Sequence, residues 1–416
     1  MATQDQYNVL RQPTRQLNIK IDLINENDIV IDSFEGIATE GNISLSSEST
    51  YRRNGNFTMV FDKKYNLLPS PTSKLWFNKR IGIHIGIKNY FDEIIWFNLG
   101  RFALAEGSLD FNQATRTISC QIFDYMAFLD GSLGGVLSHQ TIIEEGTPIS
   151  NAIKSTLEGL VKVSIGDIKI DNMDLTTPYT IERSAGNTVY DLIKELIELY
   201  MGWDFYFDEN GYFVVEKIKD KKNDPVIEIF DGSDKDLSLN SNINIDFKNV
   251  YNAIWVWGRQ LEDGTQIKWN YKNKWVRNDY SDLSGLADVE NGDICHIANE
   301  DKSYMWDGDD WEKLDFRVIP QFNIESIGEK TYVYNSESIF NDEQVRLRCE
   351  YELTINNSNM AEKINFSCVP LYNLKPQQKI SVNINDLGQK DYIIESITIP
   401  MSFNGSMGIS ARRLYY

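Results

Sequence analysis

Histidine and cysteine are scarce in this 416-residue chain, which holds three of the first and four of the second. Cys120, Cys295, Cys349 and Cys368 are far apart, and no Cys-x-x-Cys or Cys/His grouping offers a zinc-ligand pattern. Cys120, Cys349 and Cys368 each sit in an alternating strand pattern. Buried free thiols are expected there, in keeping with folding in a reducing cytoplasm. No run of about 18 apolar residues occurs, which excludes a membrane-spanning helix. The polar start Met1-Ala-Thr-Gln-Asp-Gln-Tyr7 lacks the apolar region of an export signal. Basic residues are also in deficit, with 41 Lys and Arg against 61 Asp and Glu and a net charge of −20. That balance argues against binding nucleic acid through its phosphates.

Recognisable catalytic groupings are missing as well. His84 lies on the polar face of the strand-like Ile81–Ile87, with no partner placed beside it by the sequence. His139 follows Gly131-Ser-Leu-Gly-Gly135, which has neither the preceding strand nor the Lys-Ser/Thr of a phosphate-binding loop and reads as a connector. His296 belongs to a turn-rich segment. Glu144 with Glu145, Asp309 with Asp310, and Glu35 with Glu40 could each be drawn as a glycosidase pair, but nothing distinguishes them from the acidic background. Asp307, Asp309 and Asp310 lack EF-hand spacing and its terminal Glu, so a hairpin turn is expected. No catalytic, cofactor-binding or metal-binding residue is assigned, no cofactor is expected, and the chain reads as a non-enzyme.

What the chain does have is β-forming sequence. Hydrophobic residues make up 42% and aromatics 12%, enough for packed cores and favourable to sheets. Leu17–Leu23, Asn56–Phe61, Ile81–Ile87, Ile94–Phe102 and Thr115–Asp124 read as strands, and Asp124–Asp130 as a helical turn leading out. Ile149, Ile153, Leu157 and Leu160 recur at helical spacing. Val189, Leu192, Ile193, Leu196, Ile197 and Tyr200 form the strongest apolar stripe, with Thr188 and Asp191 as a capping pair and Gly202 as the stop. Trp203–Phe207, the turn Asp208–Gly211 and Tyr212–Glu216 form a hairpin, followed by a charged linker, Lys217–Asp224. Strands resume at Val226–Phe230 and Asn249–Gly258, and a long strand is expected over Glu343–Ile355. Lys379–Ile384, Tyr392–Pro400 and Met407–Arg413 end the chain as three strands, joined by turns at Asn385–Gly388 and Asn404-Gly405.

The pattern divides into four parts. Residues 1–130 form an N-terminal β-barrel domain and residues 131–224 an α+β module. Residues 225–260 and 317–416 form a second β-barrel, split by a small β module at 261–316. The fold class is mainly β, with two barrel-like domains and a small α+β module. Within 261–316, three short strands alternate with turns at Asn299-Glu-Asp and Asp307-Gly308. Tyr304, Trp306 and Trp311 lie near the last turn. They are either contacts for a glycan or partner protein or the mini-core of a module with little else to bury. Removing 261–316 is expected to leave the barrels folded.

Three stretches carry a family likeness. The first runs from Ser184-Ala-Gly-Asn-Thr-Val-Tyr through Met201-Gly-Trp-Asp-Phe-Tyr-Phe-Asp-Glu-Asn-Gly to Val215-Glu216, a capped helix, a Gly-aromatic step and a hairpin with an acidic-Gly turn. The second is Leu374-Lys-Pro-Gln-Gln-Lys-Ile-Ser-Val382, like an L-x-P-G-D-x-V-x-V strand entry with Gln377 and Gln378 replacing Gly-Asp. The third is Tyr392–Arg412, like a closing hairpin. Together with the order of parts, they resemble the baseplate or tail-tip hub of long-tailed bacteriophages, the family that includes late control protein D and the hubs of contractile injection systems. The resemblance spans most of the chain except 261–316.

The resemblance implies a homotrimer with two barrels per subunit, forming a pseudo-sixfold ring between tail tube and tip. Its partners would be the distal tail or tube protein, the tape measure protein and the tip or spike protein. DNA would pass only in transit, and no membrane anchor is implied. The protein would be made in the host cytoplasm and reside in the virion tail. Because the chain stops at the end of the second barrel, it implies scaffold without an attached lysin. A trimer would carry three times the chain's −20 charge, so an acidic or neutral channel wall is expected. A glycan-binding adhesin and a cell-wall hydrolase are the rival readings.

Overall fold

The computed structural model describes residues 3–60, 67, 74, 79–104, 109–159, 167–219, 221, 223–231, 238–245, 250–261, 263–316, 318–356, 362–383, 388–402 and 404–413. After the capped helix α1 (Gln4–Val9), eight strands follow. They are β1 (Leu17–Ile24), β2 (Val30–Glu35), β3 (Ala38–Ser46), β4 (Arg53–Val60), β5 (Arg80–Lys88), β6 (Ile94–Leu104), β7 (Asp110–Asn112) and β8 (Thr117–Phe123). A single helical turn, Tyr125–Phe128, leads out as expected, with the Asp124 carboxylate accepting from Met126 N. The middle segment holds β9 (Thr141–Ile143), α2 (Ile149–Glu158), β10 (Ile168–Ile170), β11 (Ile181–Arg183), α3 (Val189–Glu198), β12 (Trp203–Phe207) and β13 (Phe213–Lys217).

Then come β14 (Val226–Phe230), β15 (Ser238–Ile245), β16 (Ala253–Gln260), β17 (Gln266–Arg277), β18 (Asp293–Ile297), β19 (Lys302–Trp306) and β20 (Trp311–Lys313). The chain continues through α4 (Ile324–Ile327), β21 (Thr331–Asn335), α5 (Asp342–Tyr351), β22 (Glu362–Cys368), β23 (Lys379–Asn383), β24 (Gln389–Pro400) and β25 (Met407–Arg413). The expected Leu160 end of α2, Phe61, Asp220, Lys222, Ile384 and the turn residues Asn385–Leu387 lie outside the described residues.

The class is mainly β, but the sheets are open rather than barrel-like. The largest has 14 strands and runs β15-β22-β25-β24-β3-β4-β8-β6-β5-β1-β2, with β14 and β23 joined at β24 and β7 at β8. The reason is a long-range pairing. Ser46 faces Ser396, Ile43 faces Ile399 and Asn42 faces Pro400, so early and late strands extend one sheet instead of each closing on itself. By contact density the chain forms two compact units. One comprises Met1–Ile197, Trp203–Asn242 and Asn365–Ala411; the other comprises Glu198–Gly202, Ile243–Ile364 and Arg412–Tyr416.

Inside the first unit the middle segment contains a repeat that sequence reading missed. Strand, Gly turn and helix occur twice, as β9–Gly146–α2 and β11–Gly186–α3, and β9 pairs with β11. Each turn glycine has positive φ, 78° and 94°. The Thr188 cap is present: its hydroxyl accepts from Asp191 N (3.1 Å) and donates to the Asp191 carboxylate (2.7 Å). The β12–β13 hairpin turns on Asp208, whose carboxylate accepts from Asn210 N and Tyr212 N, both at 2.9 Å. Gly211 is required there, with φ +76° and space for a Cβ only 2.6 Å from the Tyr125 ring.

This hairpin is clasped by the strands of 17–123. Arg53 donates to Phe207 O (2.7 Å) and Glu209 (3.2 Å), and Arg52 pairs with Asp204 (2.6 Å). The backbone N–H of Arg53 is held by Asp124 (2.9 Å), a carboxylate with no solvent exposure to speak of. Burial pushes the Asp124 carboxyl up to about 6, against the backbone hydrogen bonds from Arg53 and Met126 that favour its charged form.

In the second unit, a six-stranded sheet runs β20-β19-β18-β17-β16-β21. The three short strands expected at the two turns are present. Yet the segment 261–316 does not stand apart, because β17 pairs along β16 and β16 pairs in parallel with β21. Its removal would take four of the six strands. The expected strand Glu343–Ile355 is instead α5 and a following π-turn. Val345, Leu347, Cys349, Tyr351 and Leu353 alternate, which imitates a strand. Asn341, however, caps Gln344 N (2.8 Å), and Val345, Cys349 and Leu353 recur every four residues to enter the core. Cys349 is therefore a helical residue, and Leu347 is 41% exposed.

Two measurements test this description. Val345→Ala should cost about 1–3 kcal/mol in urea unfolding, while Leu347→Ser stays within roughly 0.5 kcal/mol; similar costs at both positions would restore the strand reading. Asp124 has a folded pKa above its unfolded one, so the native state holds an extra proton between about pH 4 and 6. Its contribution thus favours folding more as pH falls through that window. Relative to Asp124→Asn, the wild type should gain up to roughly 3 kcal/mol between pH 7 and 4. A pH-independent difference between the two would refute the assignment.

Candidate interaction surface

The six-stranded sheet has two apolar faces. On one, Ile254, Val256, Ile267, Tyr271, Ile294 and Met305 pack with Val345, Cys349 and Leu353 of α5. Alternation places Trp255 and Trp257 on the opposite face, half-buried, with their rings nearly parallel at 6.3 Å. Lys268 and Lys272 on β17 bring their ammonium groups to 5.3 Å and 5.7 Å from Trp257 and Trp255.

Along β17 the alternation breaks. The β17–β18 register shifts between Asn273 and Trp275, leaving Lys274 as the extra residue. The bulge turns Trp275 to the second face, where it packs with Leu283, Cys295, Ile297 and Tyr304. Lys274 then holds the covering segment in place, donating to Asp288 O and pairing with the fully buried Asp293 carboxylate, both at 2.8 Å. Asp293 also accepts from Glu290 N.

The three aromatics singled out from the sequence do come together. Tyr304 is buried in this second cluster, its hydroxyl donating to Glu300 (2.9 Å) and its ring 4.8 Å from Tyr280. Trp306 and Trp311 face each other across β19 and β20 at 5.6 Å and are half-buried. Tyr304 thus belongs to the packing, while the two tryptophans keep part of their rings in solvent. Trp255 and Trp257 share their face and were not singled out; Ile254-Trp-Val-Trp257 was the available signal, since alternation alone puts two tryptophans spaced by two on one face of a strand.

The other candidates fall apart. His84 pairs with Asp22 at 2.9 Å, and burial draws its pKa down despite that carboxylate. His139 is exposed and contacts Ser138, and His296 is buried against Ser303. Asp307 accepts from Asp309 N and Asp310 N (2.8 Å each), the hairpin turn expected. Glu144 accepts from the Thr180 hydroxyl at 3.4 Å. The four cysteines are buried and free. Burial pushes Cys120 and Cys295 up to about 12 and Cys349 upward, which keeps the thiols neutral. Among the described residues no three His, Cys, Asp or Glu groups lie together as metal ligands, and no helix is long and apolar enough to cross a membrane.

No sequence-family profile and no curated protein sequence matches the chain. Solved structures do. The 43 kDa tail protein of prophage MuSo2 from Shewanella oneidensis aligns with a TM-score of 0.58 at 12% identity, over 95% of this chain and 98% of that one. A tail protein from Neisseria meningitidis MC58 aligns at 0.58 and 10% identity, over 95% and 98%. A chain of the Francisella PdpA–VgrG complex aligns at 0.55 and 13% identity, covering 97% of this chain but 58% of its own. The fold is therefore that of phage tail proteins, in agreement with the resemblance read from the sequence.

The bulge lysine offers a direct test of how the second face is built. Lys274→Met would leave the Asp293 carboxylate buried without its cation, at a cost of roughly 3 kcal/mol. Tryptophan emission should shift to the red as the cover over Trp275 loosens. A variant with unchanged midpoint and emission would show that the pair does not hold the segment.

Proposed function

We propose that this chain is a structural hub of a long phage tail, joining the tail tube to the tip. The observation that carries the reading is the end-to-end match with two tail proteins, which leaves almost no part of either chain unaligned. In this reading the protein acts by geometry and not by catalysis. It resides in the virion tail after synthesis in the host cytoplasm. Three copies form a pseudo-sixfold ring, with the 131–224 module directed outward. The distal tail or tube protein, the tape measure protein and the tip or spike protein are its neighbours, and DNA crosses only in transit.

The open sheet supports ring formation. Strands β2 and β15 end its order, each with a single strand neighbour among the described residues. Such edges offer unpaired backbone groups, and meeting between copies would satisfy them in a closed ring. The half-exposed tryptophans of the second unit support a contact role for 261–316. Trp306 and Trp311, on the same sheet face as Trp255 and Trp257, are the residues through which a partner protein or a host glycan would be touched.

Native mass spectrometry and negative-stain imaging, alone and with the tube protein, should give a trimer with a central hole. The same ring should bind duplex DNA weakly even at low salt, since its net charge is strongly negative. A species that stays monomeric with its partner present, or a ring that holds DNA tightly, overturns the reading.

A further inference from the structure

The hairpin of β5 and β6 ends in the two most exposed large apolar residues among those described, Tyr90 at 77% and Phe91 at 84%. Single exposed apolar residues are ordinary, but two adjacent rings at a tip form a patch. They contribute little to the fold from that position.

The turn beneath them is firmly built. Asn89 N donates to Glu93 O (2.8 Å) and Asp92 N to Asn89 O (3.2 Å). The Asn89 side-chain oxygen accepts from Phe91 N (2.8 Å) and Glu93 N (2.9 Å), and its amide donates to Glu93 (3.1 Å). Lys88 pairs with Asp92 at 2.9 Å, and Asp92 sits at φ +65°. A turn backbone fixed before contact spares the binding step the cost of ordering that loop, as an anchor requires. Below the tip, Ile94, Ile95 and Trp96 are half-buried, so the apolar character continues down the hairpin.

Charge and topology narrow the partner. Lys88, Asp92 and Glu93 give the tip one net negative charge on a chain already at −20. Anionic lipid surfaces and nucleic acid are thereby disfavoured, and aromatic anchors of this kind seat in apolar protein pockets. The tip also lies at the strand ends, beyond the pairing of Lys88 with Ile94. Ring closure would use strand edges instead, so contact at the strand ends meets whatever stacks on the ring.

We propose that Tyr90 and Phe91 seat in an apolar socket, rimmed by Lys or Arg, on a different protein stacked against the ring. This rests on the hub reading. Benzoylphenylalanine placed at Phe91 in full-length protein, assembled into particles and irradiated, should cross-link to a different virion polypeptide, at an apolar site with basic residues beside it. The Tyr90→Asp/Phe91→Asp variant should keep its thermal midpoint and trimeric state yet enter particles at least tenfold less. Cross-linking to another copy, to lipid or to nothing overturns the proposal, as does normal incorporation of the variant. Absence of the wild-type protein from particles, or its failure to trimerise, overturns the hub reading instead.

Discussion

The pairing of β3 with β24 is the constraint on which the first unit depends. It places Asn42–Ser46 against Ser396–Pro400, residues separated by most of the chain. Closing so long a loop costs chain entropy, though that cost grows only slowly with length. It is offset by burial on both strands, with Ile43 and Leu45 on one side of the seam and Ile397 and Ile399 on the other. Once it forms, the eight strands of 17–123 share one sheet with β14, β15 and β22–β25. The rest of the chain must then leave and return between fixed points.

Polar contacts fix what that sheet cannot. Arg53 lies on β4, whose neighbours are β3 and β8, and its guanidinium reaches the β12–β13 hairpin. Glu209 in the same turn accepts from Arg53 and Lys375, while Asn98 donates to its carbonyl (3.2 Å). Groups far apart in sequence therefore converge on one hairpin turn. A parallel node lies at Asp28, which accepts from the Tyr125 hydroxyl (2.8 Å) and from Arg101 and faces the buried Arg80. Such nodes specify one arrangement because any slip would leave a charge buried without its partner.

The second unit depends on a smaller device. A strict two-residue alternation through β17 would send Trp275 into the face already filled by Tyr271 and α5. The extra residue at Lys274 sends it to the other face and supplies the cation for Asp293. One sheet thereby carries two apolar clusters, and the tryptophans at 255, 257, 306 and 311 come to share a surface.

Local order was legible from the sequence wherever one period and one cap agreed. The stripe from Val189 to Ile197, the Thr188 cap, the Asp208–Gly211 turn, the Asp307 turn and strands β1, β4, β5, β6 and β8 are set by neighbours within a few residues, so sequence alone determined them, whereas β2, β3 and β7 were not read from it. The mainly-β class and the convergence of Tyr304, Trp306 and Trp311 followed from the same local patterns. Segment 343–355 shows the limit, because Val345, Cys349 and Leu353 satisfy both a period of two and a period of four. The Asn341 cap and packing against Ile254 and Tyr271 together chose the helix. The open form of the large sheet, the joining of 261–316 to β16, the bulge at Lys274 and the duplicated strand–turn–helix pairing were likewise decided by tertiary structure. Each depends on which distant strand lies alongside, and backbone hydrogen bonds between strands carry no sequence label of their own.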